Sequence, residues 1–270
     1  MNRYGFFDVT IFFDFNIRKK IKTMQKLTVA SYNLHGTQYN DQARFYEIAR
    51  ELNYYGVDIC GFQEVINGNG IEDTSFQTAK HLMNMTGRQW YTYWVYCHPF
   101  FDKYPEGISV LSGVPLSEIA IIDLNKIKAR PLMQRYALAV TAEFGEKRIR
   151  FVTTHLDHHK KAQVRTEQAK KIIDNIYANS NGKFNAEIIT GDMNAKEMSA
   201  CLKLIKRNGF KDSYRKIHKI GGDTFPASGP FCRIDYILCK GKIEITDSFL
   251  MQSRNDLSDH IGIVTSMILK

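Results

Sequence analysis

Eight polar residues whose side chains suit acid–base chemistry or metal binding end, or closely follow, apolar runs that are typical of β-strands. They are Asn33, Glu64, His155, Asp192, Asn194, Asp235, Asp259 and His260. In sheet proteins, strand ends and the loops after them supply most functional groups on a rigid scaffold. The run around Asp235 predicts a buried carboxylate, and an unpaired buried carboxylate is costly. A histidine is the obvious partner for it, and such a pair can transfer protons.

Each of these residues also has a purely structural interpretation when it is taken alone. Asp192, which follows Gly191, could form a turn, and Asn33 could be an ordinary loop residue. His158 and His159 could extend a metal site, but their position before two lysines is more typical of exposed loop histidines. A catalytic function is therefore indicated only by all eight residues taken as a set. It also depends on the strands and helices that would place these residues side by side.

The apolar periodicity predicts alternating strands and helices joined by short connections. Helices are predicted over 40–55, 75–87, 161–179 and 196–208, with Gly87 ending the second. Strands are predicted over 26–32, 57–64, 91–97, 107–112, 136–144, 148–155, 186–194, 233–239, 243–250 and 261–269. The stretch 220–230 is rich in glycine and proline, and it predicts a loop beside a site. No repeat or interdomain linker is evident, so the pattern predicts one α/β domain over 25–270.

Composition and charge narrow the class of protein. The chain has 270 residues, of which 44% are hydrophobic and 24% charged, values that exclude a disordered, fibrous or disulfide-stapled protein. A mean hydropathy of −0.32, with no run of 18 apolar residues, argues against a polytopic membrane protein. The 37 basic and 28 acidic residues give a net charge of +9, which favours a phosphate-bearing partner. A solvated basic face is the more common explanation of any single cluster.

Cysteine usage and the N-terminus bear on the compartment. The five cysteines are odd in number and form no C-x-x-C pair, which indicates reduced thiols. Residues 1–24 are apolar but interrupted by Asp8 and Asp14, and they lack a cleavage site of the signal-peptide kind. We therefore predict a cytoplasmic, monomeric protein without a transmembrane segment, and we predict that 1–24 is an extra strand or a loosely attached extension.

Six short motifs occur in one order along nearly the whole chain. They are Ser31-Tyr32-Asn33, Gln63-Glu64-Val65, Thr154-His155-Leu156-Asp157, Gly191-Asp192-Met193-Asn194, Arg233-Ile234-Asp235-Tyr236 and Ser258-Asp259-His260. Together they resemble the endonuclease/exonuclease/phosphatase superfamily, which shares the fold of deoxyribonuclease I. The block Thr224-Phe225-Pro226-Ala227 resembles bacterial members whose substrates are undefined. The resemblance implies a four-layer α/β/β/α sandwich of two mixed β-sheets flanked by helices.

The same resemblance implies a divalent metal site and its neighbours. Glu64 corresponds to the main ligand, with Asn33 and Asp259 close to the same ion, and such oxygen donors suit Mg²⁺ or Mn²⁺. Glu106 is placed like the carboxylate that partners His155 in deoxyribonuclease I. Arg165, one turn into the basic helix, is a candidate phosphate contact.

The remaining motif residues correspond to the groups that attack and hold a phosphate. Asp192 and Asn194 would orient the attacking water and bind the phosphate, and Asp235 would pair with His260. His155 would donate to a phosphate oxygen as negative charge develops. Either Asp192 or His260 would accept the proton from water. The reaction implied is in-line displacement at phosphorus.

Three functions remain open at the level of the sequence. The charge favours a nuclease, and the alternative is a phosphodiesterase or phosphatase that acts on a lipid or small molecule, like a sphingomyelinase or an inositol phosphatase. A degenerate phosphate-binding protein without catalysis is the third possibility. It predicts loss of at least one of Glu64, Asp192, Asp235 and His260, and none is lost. A serine hydrolase has no support, because the chain contains no G-x-S-x-G.

Overall fold

Two six-stranded β-sheets face each other and are covered by helices on their outer sides. The computed structural model describes residues 25–36, 41–101, 103–180, 182–252 and 254–270. The extension predicted over 1–24 lies outside these residues. Among the helices described, none is long and apolar enough to cross a membrane.

The first sheet has the strand order β11-β12-β1-β2-β4-β3. Its strands are β1 (Gln25–Asn33), β2 (Ile59–Ile66), β3 (Tyr91–Phe100), β4 (Tyr104–Ser112), β11 (Ile243–Leu250) and β12 (Ile263–Leu269). Strands β1 and β2 are parallel and the other neighbours are antiparallel, so the sheet is mixed. Its outer side carries helices α1 (Gln42–Tyr54) and α2 (Thr74–Thr86).

The second sheet has the strand order β5-β6-β7-β8-β10-β9. Its strands are β5 (Leu116–Asp123), β6 (Tyr136–Phe144), β7 (Lys147–His155), β8 (Ala186–Asp192), β9 (Lys211–Asp212) and β10 (Asp235–Gly241). Only β7 and β8 run parallel among its paired strands. Helices α3 (Ala162–Ser180) and α4 (Ala200–Arg207) pack on this sheet, and the short α5 (Ser213–Ile217) follows β9.

Three clusters of buried apolar side chains hold the two sheets and the two sets of helices together. Leu27 and Val29 of the first sheet meet Phe151 and Ile188 of the second in the central layer. Helices α1 and α2 cover the first sheet through a second layer, and α3 and α4 cover the second sheet through a third. Burial of this kind is the main favourable contribution to folding. The predicted four-layer sandwich is confirmed.

The predicted elements agree with the structure, with one exception among the longer strands. The bounds of β6 and β11 match the prediction, and Gly87 ends α2 with a φ of 66°. Strand β5 was not predicted. It lies at the edge of its sheet and most of its residues are exposed or half-buried, including Ile119 and Ile121. An edge strand exposed in this way lacks the apolar alternation from which strands are inferred.

Glu51 lies on α1, away from the polar strand ends, and it makes the stability of the fold depend on pH. Both of its carboxylate oxygens are buried without a hydrogen-bond partner, and burial raises its pKa from 4.5 to about 7. The folded protein therefore binds this proton more tightly than the unfolded chain, so stability falls as pH rises from 4.5 to 7.

Replacing Glu51 by glutamine is expected to remove this loss. The unfolding free energy of Glu51→Gln minus that of wild type should increase by about 2 kcal/mol when the pH is raised from 5 to 8. Urea unfolding at both pH values measures it, with Glu146→Gln in the exposed β6–β7 turn as the matched control. Equal differences from wild type at the two pH values would contradict it.

Candidate functional site

The register of the second sheet places three predicted residues in one row. His155 at the end of β7 pairs with Asp192 at the end of β8, and Asp192 pairs with Asp235 at the start of β10. Parallel and antiparallel strands thus bring their polar ends to one edge. The side chains meet there, because Nε2 of His155 lies 3.4 Å from Oδ2 of Asp192.

A β-bulge in the first sheet directs Glu64 toward the same edge. The pairing of β2 with β4 shifts between Phe62 and Val65, and Glu64 has a φ of 54°. Such bulges often re-aim a side chain beside a functional site. The Glu64 carboxylate accepts hydrogen bonds from Nδ2 of Asn33 at 3.0 Å and from the backbone N–H of Gly36 at 3.0 Å.

The loop before β12 supplies the last two predicted residues, Asp259 and His260. Ser258 donates from Oγ to the backbone carbonyl of Asn33 at 2.7 Å and accepts from the backbone N–H of His260 at 3.1 Å. Nδ1 of His260 lies 2.9 Å from Oδ2 of Asp235, and its Nε2 lies 3.7 Å from Oδ2 of Asp192. The predicted pairing of Asp235 with His260 is therefore present. The loop 220–230 packs against it, since the ring of Phe225 lies 4.8 Å from that of His260.

Buried Arg44 ties two of these loops to helix α1. Its Nη1 donates to the backbone carbonyl of Leu34 at 2.5 Å and to that of Leu257 at 2.6 Å. Leu34 follows Asn33, and Leu257 precedes the Ser258-Asp259-His260 motif. One guanidinium thus fixes the spacing between the loops that carry the site.

Replacing Arg44 by methionine is expected to destabilise the protein. The substitution leaves two buried carbonyls without a donor, which should lower the unfolding free energy by about 3 kcal/mol. Denaturant unfolding measures this, with Arg50→Met as the control because the Arg50 side chain is 59% exposed on the same helix. Equal stability of Arg44→Met and Arg50→Met would show that the bridge contributes nothing.

Burial and crowding of the carboxylates at this edge raise several of their pKa values. Burial, followed by the charge of Asp235, raises the pKa of Asp192 to about 7. Burial also raises the pKa of Glu106 and of Asp259, and the charge of Glu64 adds to both. The carboxylates at this edge are therefore protonated more easily than exposed carboxylates.

The two histidines respond in opposite directions. Burial opposes protonation of His260, but the carboxylates of Asp235, Asp192 and Asp259 together raise its pKa to about 10. Burial, with the nearby charge of Arg135, lowers the pKa of His155 well below its usual value. At neutral pH His260 is thus a cation, whereas His155 is neutral.

An open cleft of about 300 Å³ exposes these groups. Predicted residues that line it are Glu64, Glu106, His155, Asp192, Asn194, Asp259 and His260. Asn33 and Asp235 lie beneath the surface, where they are fully or almost fully buried. Asn194 is held by its backbone N–H, which donates to Oδ1 of Asp192 at 2.7 Å, and by Nδ2, which donates to the carbonyl of Leu156 at 2.9 Å.

Comparison with known proteins places the chain in a family. The sequence matches the endonuclease/exonuclease/phosphatase family over residues 30–260, a span that contains all six motifs. The chain belongs to this family. The predicted membership is therefore confirmed, while the family as a whole leaves the substrate open.

Solved structures of similar fold include a family protein from Leptotrichia buccalis. It is 21% identical with a TM-score of 0.73, and the similarity covers 88% of this chain and 98% of that chain. The human nocturnin catalytic domain with bound sulfate anion is 19% identical, with a TM-score of 0.72 and coverage of 90% and 93%. A mannosyl-6-phosphatase from Bacteroides thetaiotaomicron is 19% identical, with a TM-score of 0.67 and coverage of 89% and 99%. No curated protein matches the sequence significantly.

Two predicted site residues, one assigned from the family resemblance and one from its place on a basic helix, lie elsewhere than expected. Glu106 contacts His98, with 3.1 Å between Oε1 and Nε2, and not His155. The reason is the register, because His98 on β3 and Glu106 on β4 are cross-strand partners. Arg165 does not line the cleft, since its Nη1 donates to the backbone carbonyls of Asp157 and His159.

Several residues that line the cleft were not predicted to belong to the site. His98, Phe100, Met133, Arg135, His158 and Phe225 line it. Arg135 precedes β6, which is antiparallel to β7, so the start of β6 lies beside the end of β7. A search of strand starts as well as strand ends could have found Arg135. His158 is exposed, as the sequence indicated, yet it borders the cleft.

The donors around Glu64 suit a hard divalent cation of the kind predicted for the family. Oδ1 of Asp259 is buried and accepts no hydrogen bond from the residues that the structure describes, and it lies 3.7 Å from Nδ1 of His35. Carboxylate oxygens crowded in this way are the donors that Mg²⁺ and Mn²⁺ prefer. Asn33 lies beside Glu64, where its Nδ2 donates to the Glu64 carboxylate and its Oδ1 accepts from the backbone N–H of His35.

Proposed function

We propose that this protein is a Mg²⁺-dependent phosphodiester hydrolase that acts on nucleic acid. One observation carries the proposal. Oδ2 of Asp192 lies 3.4 Å from Nε2 of His155 and 3.7 Å from Nε2 of His260, and Asp235 holds the other nitrogen of His260. Two histidines thus converge on one carboxylate at an open cleft, an arrangement that can hold a phosphoryl group and move a proton beside it.

The roles of the chain's own residues follow from these contacts. Asp192 and His260 act as one unit that orients a water molecule, since strongly interacting groups titrate together. Because His260 is already charged at neutral pH, the carboxylate of Asp192 accepts the proton. Asp235 fixes the tautomer of His260 by holding Nδ1. His155 and Asn194 lie at the same cleft, with 3.0 Å between Nε2 and Nδ2. We assign them to the phosphoryl oxygens of a bound substrate, to which they would donate hydrogen bonds as negative charge develops.

The carboxylates of Glu64 and Asp259 would hold the metal ion, with Asn33 and Gly36 fixing the orientation of Glu64. When bound, Mg²⁺ or Mn²⁺ neutralises charge on the phosphate and polarises phosphorus. Asp192, Asp235 and His260 also place ligand atoms within 4.8 Å of one another. We assign these three to proton transfer, because Asp235 and His260 already satisfy each other.

Nucleic acid is the substrate class that the net charge of +9 favours. A phosphatase acting on a small phosphomonoester is the second candidate. It is favoured by the modest volume of the cleft, and a mannosyl-6-phosphatase has the same fold.

A substrate panel separates the two candidates. Single-stranded RNA, single-stranded DNA, plasmid DNA, bis(p-nitrophenyl) phosphate and a sugar 6-phosphate are incubated with the protein in Mg²⁺, in Mn²⁺ and in EDTA. We expect metal-dependent cleavage of a nucleic acid. Release of phosphate from the sugar phosphate alone would overturn the nuclease assignment in favour of the phosphatase.

A further inference from the structure

A second concavity, of about 570 Å³, adjoins the cleft. Among the residues that line it are Lys128, Arg130, Leu132, His159, Lys161 and Gln163, and we call it the basic groove. The two share a wall. Leu132 and His159 face the basic groove, whereas their chain neighbours Met133 and His158 face the cleft.

A single buried carboxylate fixes this shared wall. Oδ2 of Asp157 accepts from the backbone N–H groups of Leu132 at 2.8 Å and Met133 at 2.9 Å. Its Oδ1 accepts from the backbone N–H of His159 at 2.7 Å. Arg165 braces the same turn by donating to the carbonyls of Asp157 and His159. The groove is therefore a built feature of the fold.

The cations of the basic groove are only weakly balanced by carboxylates among the residues that the structure describes. Glu167, whose Oε2 accepts from the backbone N–H of Ala129 at 3.0 Å, interacts electrostatically with Lys128. No acidic residue is among the lining residues, and Lys128, Arg130 and Lys161 are exposed. Within the described residues, no carboxylate lies within 4.0 Å of their side-chain nitrogens, whereas exposed Lys170 pairs with Asp174 at 2.6 Å. Isolated surface cations are usually only solvated. Here three of them line one path that leads into a cleft rich in carboxylates.

We propose that the basic groove binds the phosphates that flank the cleaved phosphodiester in a nucleic-acid strand. This rests on the proposed function, and it names the path of the substrate outside the cleft. A strand carries regularly spaced negative charges, so unpaired cations along its path gain affinity by releasing counterions. The side chain of Leu132, with the residue 59% exposed, offers an apolar surface against a base or sugar. A small diester has no flanking phosphates to place in the groove.

The test compares a groove variant with a variant matched in charge. Lys128→Gln, Arg130→Gln and Lys161→Gln are combined in one protein. The control combines Lys183→Gln, Lys211→Gln and Lys242→Gln, which lie near the start of β8 or the end of β10, away from Asp192 and Asp235. For each, kcat/KM is measured on a 12-nucleotide single strand and on bis(p-nitrophenyl) phosphate, at 50 and 200 mM salt.

The ratio of strand to diester kcat/KM should fall at least about tenfold in the groove variant and stay unchanged in the control. The slope of log(kcat/KM) for the strand against log[salt] should become shallower by about 2, since each lost phosphate contact removes roughly 0.7. An unchanged ratio, an equal fall on both substrates, or an equal fall in the control would overturn the groove assignment. A wild type that cleaves the diester but no strand would instead overturn the nuclease function itself.

Discussion

Replacing His260 by alanine should lower kcat for phosphodiester cleavage by about 10³-fold while leaving the fold intact. The substitution removes the imidazole that lies between Asp235 and Asp192, and with it the charged group that orients Asp192, the acceptor of the proton from the attacking water. Single-turnover rates on bis(p-nitrophenyl) phosphate measure the loss. His81→Ala is the matched control, because that ring lies on α2 and contacts Tyr46.

A partner variant separates orientation from proton transfer at the same site. Asp235→Asn keeps the shape of the pair but no longer stabilises a charged His260, so it should also be slow. Because the two residues act as a unit, the double variant should be little slower than His260→Ala alone. Multiplicative losses would show that Asp235 and His260 act independently. Rates of His260→Ala equal to wild type would remove the proton-transfer assignment.

Replacing Glu64 by glutamine should raise the Mg²⁺ concentration needed for half-maximal activity by roughly 100-fold, since even changes outside the ligand shell cost tenfold or more. The amide keeps the size of the side chain but removes the charge that the bulge aims into the cleft. A Mg²⁺ titration of activity measures this, and Mn²⁺ binding followed by calorimetry gives a readout independent of turnover.

The control for Glu64 is Glu72→Gln, whose carboxylate is about half exposed and pairs with Lys80. We expect its Mg²⁺ requirement to match wild type. If Glu64→Gln and Glu72→Gln required the same Mg²⁺ concentration, the ion would have to be held elsewhere, and the cluster of Asp192, Asp235 and His260 would be the next candidate.

Much of the site could be predicted because it obeys strand periodicity. His155, Asp192 and Asp235 each mark a strand end or start, and alignment of those strands in the sheet brings the three together. Glu64 could be placed by its motif, but the bulge that directs it depends on the pairing of β2 with β4, which no local pattern contains.

The contacts that the sequence did not reveal depend on how neighbouring elements are placed relative to each other. Glu106 pairs with His98 because β3 and β4 place them opposite each other, a relation hidden in any single segment. Arg165 looked like a phosphate contact from its place on a basic helix, yet it braces the turn at Asp157. The cytoplasmic location, the monomeric state and the divalent ion stay predictions.

Hydrolysis of bis(p-nitrophenyl) phosphate in ¹⁸O-water, started by adding Mg²⁺ to chelator-treated protein, tests the central claim most directly. We predict no release of p-nitrophenol before the metal is added. After it is added, each p-nitrophenyl phosphate formed should carry one ¹⁸O atom, because water attacks phosphorus itself. Release that persists in EDTA, product without the label, or folded protein that releases no product at any Mg²⁺ concentration would contradict a metal-dependent phosphodiester hydrolase.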